Sequence, residues 1–314
     1  MSWQSSASIK VLKARAELLA SVRAFFAGRG VLEVVTPLLC QHGVTDPAME
    51  PFETDCGGQT RYLQTSPEYA MKRLLAGGSG PIYQLAPAFR RGEAGSRHNP
   101  EFTLLEWYRP GFDDHALMDE VADLVMHVLG RGSQQRFSYR QLFLDVLDID
   151  PFAVQIDELA EFTQRHIELS FVPDERDTWL DLLMSHLIEP KLAEFGLCFV
   201  YDYPPSQAAL ARITDAGGVQ VGRRFELYVG GLELANGYYE LQDPSEQAAR
   251  FSRDNALREQ RGQEAKPVDH YLLAALEHGL PDCAGVALGL DRLLMCKLGE
   301  RDIRKTLAFD WDRA

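Results

Sequence analysis

The segment RFELYVGGLELANGYYEL, residues 224–241, constrains the fold most. Two strand-like runs meet at Gly230-Gly231, and such a pair supplies the positive φ angles that a two-residue hairpin turn requires. A hairpin closed there sets Val229 opposite Leu232 and Tyr228 opposite Glu233. Residues two apart on a strand share a face. Glu226 and Glu233 thereby become diagonal neighbours, about 7–8 Å apart between backbones. Two such carboxylates suit a divalent cation that holds a phosphate; they equally describe two unrelated acids on a solvated face. Glu240 lies seven residues beyond Glu233 and would face away in a regular strand. A bulge at Asn236-Gly237 is the expected device for turning it back.

The remainder reads as blocks of helix and strand. Val11, Leu12, Leu18, Leu19, Val22, Phe25 and Phe26 recur at helical spacing and predict a helix over 9–29, stopped by Gly28 and Gly30. Val31 to Val35 reads as a short strand ended by Thr36-Pro37. SPEYAMKRLLA (66–76) predicts a helix with Ser66 as N-cap and Pro67 at its first position. Strands are expected at 81–90 and 101–109, then a helix over 114–129. A helical interlude at about 150–195 holds two helices, near 156–168 and 176–195. Strands return near 197–202, 222–229 and 232–241, followed by helices over 244–262 and 268–279. A last strand near 283–288 runs into a helix. Segregated blocks predict an α+β fold with a mostly antiparallel sheet flanked by helices, as one domain over 1–314.

Charge narrows the function classes. Lys and Arg number 32 against 46 Asp and Glu, a net charge of −14, which opposes stable nucleic-acid binding. Yet AFRRGEAGSRHNPEF (88–102), the loop between two predicted strands, gathers Arg90, Arg91, Arg97 and His98. Guanidinium forks match phosphate oxygens, and Phe102 offers a ring for a base. The same stretch also reads as an exposed loop with surface arginines. In GVALGLDRLLM (285–295), Gly285 and Gly289 permit close approach by a ligand or by backbone, and Arg292 falls in the first turns of a helix. A glycine pattern alone is weak evidence, and an ordinary strand-to-helix turn reads the same way. The five cysteines form no CxxC, and neither a secretory signal nor an apolar run of about 20 residues is found. Free thiols in a soluble, cytoplasmic protein without a membrane span are expected.

In their order along the chain, these stretches resemble class II aminoacyl-tRNA synthetases of the lysine branch. GVLEVVTPLL (30–39) resembles the first family motif, with Pro37 as its hallmark. AFRRGEAGSRHNPEFTLLEWY (88–108) resembles the second, and GVALGLDR (285–292) the third. SPEYAMKRLL and ELANGYYEL match the lysyl subgroup, and aspartyl and asparaginyl relatives usually carry Gln where Glu68 stands. Lysyl-tRNA synthetases carry an N-terminal anticodon-binding domain, whereas the first catalytic helix is expected here about ten residues in. The chain is therefore most similar to the stand-alone bacterial paralogues of lysyl-tRNA synthetase. That family of ATP-dependent ligases activates (R)-β-lysine and transfers it to a lysine of elongation factor P.

The resemblance implies a site. Arg90 would bridge the ATP α-phosphate and the substrate carboxylate, with Arg97 and His98 toward the outer phosphates. Asn99, Phe102, Leu234 and Gly289 would contact the nucleotide, Phe102 beneath the adenine and Arg292 over its other face. Glu226 and Glu233 would hold Mg2+. Glu68 would take the amine near the substrate carboxylate, Glu240 and Tyr108 the distal ammonium, and Asn236 the carboxylate, with Ser66 and Ala287 also at substrate positions. The family is homodimeric through its first motif, so a homodimer is expected. Three departures stand out: Gly92 replaces the usual second-motif Glu, with Glu93 one residue later; Val35 stands where Glu is common; and Ala287 stands where lysyl-tRNA synthetases usually carry Gly. A shortened lysyl-tRNA synthetase that charges tRNA, and a non-catalytic amino-acid sensor, stay open as other readings.

Overall fold

Ser8 caps the first helix, its hydroxyl accepting from the Val11 N–H at 3.4 Å, and the stripe Leu18, Val22, Phe25 and Phe26 is buried along it. The computed structural model describes residues 3–130 and 132–314. In chain order the first half runs α1 (Ile9–Ala27), β1 (Leu32–Glu33), β2 (Leu39–Cys40), β3 (Glu53–Asp55), β4 (Thr60–Leu63), α2 (Glu68–Ala76), β5 (Ile82–Phe89), β6 (Glu101–Pro110), α3 (Asp114–Leu129), β7 (Gln134–Ser138) and α4 (Tyr139–Leu147). The second half runs α5 (Ile156–His166), α6 (Arg176–Leu183), α7 (Glu189–Leu192), β8 (Leu197–Tyr203), β9 (Ile213–Asp215), β10 (Gln220–Val229), β11 (Leu232–Tyr239), α8 (Pro244–Gln260), α9 (His270–Gly279), β12 (Cys283–Gly289) and α10 (Leu290–Leu298).

Nine strands form one sheet in the order β1-β5-β6-β12-β11-β10-β8-β7, with β9 on the side of β10. Every pair is antiparallel except β1 with β5 and β7 with β8. A separate three-stranded sheet has the order β2-β4-β3. This is the expected α+β architecture.

Strand alternation gives the large sheet two unlike faces. On one face Leu105, Trp107, Phe199, Phe225, Leu227, Val286 and Leu288 form the main core with residues of α1, α3 and α10. The other face carries the register-matched set Glu106–Ala287–Asn236 and Tyr108–Gly285–Tyr238, one residue from each of β6, β12 and β11. A second core on β8 joins Tyr139, Phe143, Leu159, Trp179, Leu180 and Leu183 to Cys198 and Val200, and so anchors the helical interlude to the sheet edge. No helix among the described residues is long and apolar enough to cross a membrane. The five cysteines are free thiols.

Four expectations need correction. The polar run Gln134–Ser138 is a strand and Tyr139–Leu147 a helix, both unforeseen. The single helix expected over 176–195 is interrupted by a wider turn at Met184–Ile188, just before Pro190, which has no N–H to donate. Helix α2 begins at Glu68 with Pro67 as its cap residue, and the Ser66 hydroxyl accepts the Glu68 N–H at 3.4 Å. The turn at Gly230-Gly231 pairs Val229 with Leu232 and Tyr228 with Glu233 as expected, but the bulge lies elsewhere. Leu227 pairs with Ala235, so Leu234 is the extra residue, and the break comes before Asn236-Gly237.

Gly237 has a different physical reason. A Cβ there would lie 2.4 Å from the Phe225 Cζ and 2.6 Å from its Cε1, inside the core. Gly237→Ala is expected to lower stability by about 1–3 kcal/mol through overpacking. A urea unfolding midpoint equal to wild type would show that the ring moves aside freely.

Candidate active site

The bulge at Leu234 decides what faces what. Downstream of it the even-numbered residues of β11 align with the even-numbered residues of β10: Asn236 pairs with Glu226 and Tyr238 with Arg224. Glu240 continues this row, its N–H bonding the Cys283 carbonyl at 3.0 Å. Across β12 and β6 the same face adds Gly285, Ala287 and Gly289, then Phe102, Leu104, Glu106 and Tyr108. These residues line a cavity of about 380 Å³, closed above by Ser66 and Glu68 of the α2 entry and by Arg90, Glu93, Arg97, His98 and Arg292. Every candidate residue except Glu226 borders this one cavity. Glu226 and Glu233 share an adjoining hollow of about 340 Å³.

One end is acidic and buried. Glu240 is 0% exposed and Glu106 2% exposed. Tyr108 Oη donates to Glu106 Oε1 at 2.8 Å. Lys72, 1% exposed, donates to Glu68 Oε1 at 2.7 Å. Its Nζ also lies 2.6 Å from Glu240 Oε2. Lys72 thus serves both carboxylates, and Glu240 Oε1 has no hydrogen-bond donor among the described residues. Burial pushes the Glu240 carboxyl up to about 7 against the pull of Lys72, with Glu68 adding to the rise. Burial and Glu68 also hold Glu106 well above the usual carboxylate range. Desolvation opposes the charge on Lys72, but Glu240 and Glu68 outweigh it and raise its pKa. Gly285 makes this end possible, because a Cβ there would sit 2.2 Å from the Tyr108 ring and 2.5 Å from Glu240 Oε1.

The other end is cationic. The Arg90 guanidinium stands 5.1 Å from the Phe102 ring centroid, and its buried Nε finds no acceptor among the described residues. Arg292 donates to the Glu233 carbonyl at 2.8 Å and to the Arg97 carbonyl at 3.3 Å. Its Nη2 lies 2.6 Å from His98 Nε2. Since guanidinium only donates, that ring nitrogen is the acceptor and His98 is neutral. Asp291 fixes the helix that carries Arg292: it accepts the Thr103 N–H at 2.7 Å and pairs with Arg15.

Glu226 accepts from Tyr203 Oη at 2.7 Å, from Tyr228 Oη at 2.5 Å and from Arg224. The Glu233 side chain is 41% exposed, with its carboxylate 3.5 Å from Arg292. No group of three or more His, Cys, Asp or Glu side chains among the described residues is arranged to hold a metal. Magnesium keeps waters and takes substrate phosphates as ligands, so Glu226 and Glu233, which border one hollow, are the carboxylates that would hold it.

Several predicted residues sit differently from their expected use. The Asn99 side chain is taken at both ends, donating to the Glu101 carbonyl at 2.6 Å and accepting the Trp311 N–H at 3.0 Å. Leu234 borders the cavity while its side chain packs in the main core. Gly92 adopts φ +85°, a left-handed backbone that suits glycine, and Glu93 follows it to the cavity, 3.9 Å from Arg90. Three residues at the site escaped the sequence reading: the buried Lys72 and Glu106, and the part-buried Arg224. Glu106 shares strand parity with Phe102 and Tyr108, which was a readable signal. Arg224 donates to Asn236 Oδ1 at 3.2 Å and to the Gln207 carbonyl at 2.9 Å, besides pairing with Glu226.

This geometry makes a sequence comparison decisive. The description tRNA synthetases class II (D, K and N) matches residues 1–313. The chain belongs to that class II synthetase family. Within it, the chain is 51% identical over 320 residues to a Vibrio cholerae serotype O1 protein named elongation factor P–(R)-β-lysine ligase, covering 99% of this chain and 98% of the relative. Proteins of the same name from Yersinia enterocolitica, at 50% over 322 residues, and Pseudoalteromonas translucida, at 49% over 320 residues, are each covered to 98% of their length. In this member of the class II synthetase family, one end of the cavity is acidic and the other cationic.

The titration of Glu240 gives a test. Below about 7 its carboxyl is protonated and gives up its attraction for an ammonium. Binding of the probe 1,5-diaminopentane is therefore expected to strengthen as pH rises toward 7, by up to about tenfold per pH unit. Calorimetry on wild type and Glu240→Gln checks this: the variant should bind weakly at all pH values, and an equal slope in both would remove Glu240 from the amine site.

Proposed function

We propose that this chain activates (R)-β-lysine with ATP and transfers the β-lysyl group to a lysine side chain of elongation factor P. The observation that carries the reading is one cavity with arginines at one end and buried carboxylates at the other, in a chain about half identical to ligases of that name. A substrate with two ammonium groups needs two anionic anchors, because a buried ammonium is tolerated only when paired. Glu68 takes the amine nearer the carboxylate; Glu240, with Tyr108 and Glu106 beside it, takes the distal one. Asn236, held by Arg224, orients the carboxylate toward Arg90.

Arg90 draws the carboxylate and the α-phosphate together, which supplies orientation and offsets charge as they meet. Arg97 and His98 receive the outer phosphates. Phe102 and Arg292 enclose the adenine, and Asn99, Leu234 and Gly289 border it. Glu226 and Glu233 would hold Mg2+, which when bound supplies positive charge to the polyphosphate. The carboxylate oxygen bonds to the α-phosphorus as the bond to pyrophosphate breaks, giving a mixed anhydride. The neutral amine of the acceptor lysine then attacks the carbonyl carbon, AMP leaves, and an amide remains. The reading takes the chain as one catalytic domain working in the cytoplasm as a homodimer; the exposed apolar residues Leu32, Val35, Leu38 and Leu39 support pairing through the 30–39 segment, Val35 being 91% exposed.

A competition reaction tests the reading: enzyme, ATP, magnesium, (R)-β-lysine, elongation factor P from the same organism and total tRNA. A one-residue mass gain on the protein alone, faster with β-lysine than with α-lysine, is expected; charged tRNA in its place overturns the acceptor assignment. Ala287 lies between Glu106 and Asn236 on the cavity wall. Ala287→Gly is expected to move preference toward α-lysine, read as the ratio of the two kcat/KM values, and an unchanged ratio removes Ala287 from substrate choice.

A further inference from the structure

The amine end of the cavity is walled by three acids, and one cation lies hidden behind them. Glu68, Glu106 and Glu240 border the cavity, whereas Lys72 does not. Lys72 lies behind Glu68 and Glu240, 2.7 Å and 2.6 Å from their oxygens, at 1% exposure. One buried ammonium thus touches two of the three carboxylates. We propose that Lys72 is a positioning residue that keeps Glu68 and Glu240 ionised and in place from behind, so that the pocket accepts a substrate carrying two ammonium groups. The proposal rests on the diamino-acid ligase reading above and extends it to a residue that never meets the substrate.

The surroundings leave Lys72 in this part alone. Facing it and its partners are Glu68 from α2, Glu106 and Tyr108 from β6, Tyr238 and Glu240 from β11 and just beyond it, and Cys283 from β12. Arg212 gives its Nε to the Glu240 carbonyl at 3.1 Å and its Nη2 to Asp282 at 2.7 Å. Lys72 is therefore the cation in contact with the Glu68 and Glu240 carboxylates among the described residues. Buried like charges this close cannot all ionise without a counter-charge. Burial already drives Glu106 and Glu240 toward the protonated form. Removing Lys72 drives them further, and a protonated carboxyl no longer attracts an ammonium.

The test is (R)-β-lysine-dependent ATP–pyrophosphate exchange in wild type, Lys72→Met and Lys72→Arg. Lys72→Met is expected to raise KM for β-lysine about tenfold or more, to leave KM for ATP near wild type, and to move the acidic limb of kcat/KM about one pH unit upward. Lys72→Arg keeps the positive charge and is expected to recover most of the lost KM and the position of the limb. An unchanged KM and limb in Lys72→Met overturns the proposal, as does a Lys72→Arg limb displaced as far as that of Lys72→Met. Where Lys72→Met does not fold, Lys72→Arg is read alone: a limb at the wild-type position supports the charge role, and a displaced limb or failure to fold overturns it. Wild type is also run with α-lysine. Exchange with α-lysine only would sink the β-lysine reading while the Lys72 comparison is read on that diamino acid; exchange with neither sinks both.

Discussion

The site depends on a register shift of one residue. With a regular ladder from the Gly230-Gly231 turn, Asn236 would oppose Phe225, and Tyr238 and Glu240 would point into the main core. The extra residue Leu234 reverses this, so Asn236 opposes Glu226 and Tyr238 opposes Arg224. The candidate magnesium ligands and the amine pocket then share a face, joined by Arg224, which reaches both Glu226 and Asn236. A bulge of this kind re-aims side chains at small cost to the ladder, which is why such irregularities gather at functional sites. Leu234 itself goes into the core, so the irregularity is packed and not merely tolerated.

Around that face, buried charged groups fix loops that would otherwise wander. Arg258, 0% exposed, donates to the Asp46 carbonyl at 3.1 Å, the Glu264 carbonyl at 2.8 Å and the Glu50 carboxylate. The Glu50 carbonyl in turn accepts the Arg91 N–H at 2.8 Å, so the segment carrying Asp46 and Met49 is tied to the cationic loop. The Ile303 N–H bonds the Ser96 carbonyl at 2.8 Å and holds that loop from the far side. Donors held this way cost little reorganisation when charge develops at the phosphate, which is where electrostatic catalysis gains most.

Turn chemistry and strand parity were open to reading from the sequence; buried charge was not. Gly-Gly between strand-like runs located the hairpin, and the order of the cationic loop, the hairpin and the glycine-spaced third stretch carried the family. Lys72 escaped because Glu68 and Lys72 at four-residue spacing look like an exposed helix pair. Only the packing of α2 among α8, α9, β5, β6 and β12 buries that lysine. Glu106, flanked by Leu105 and Trp107, needed only the parity already used for Tyr108. The Asn236-Gly237 step invited a bulge because glycine in a strand has two explanations, an irregular backbone or a close neighbour. Here the neighbour, the Phe225 ring, is the reason. Strand β7 carried no apolar alternation, its residues being half-buried or exposed, and its place is set by pairing to β8.

The opposition of charge within one cavity also resolves why an acidic chain concentrates arginines at one hairpin. A surface charge of either sign is screened over about 10 Å in ordinary salt, whereas buried and part-buried groups lining one cavity are screened much less. The net −14 therefore does little to repel ATP from Arg90, Arg97 and Arg292. The buried acids at the opposite end do more, since they forbid the polyphosphate to enter in the reverse sense. A diamino acid meets the complementary field, its ammonium groups drawn inward and its carboxylate left facing Arg90. The boundary between the two fields runs along Ala287 and Gly289, where little side chain stands and the reactants can approach the sheet backbone. Substrate choice on the acidic side and phosphate chemistry on the cationic side are thus separable, and a change to the amine pocket can alter which amino acid is activated without disturbing how ATP is held.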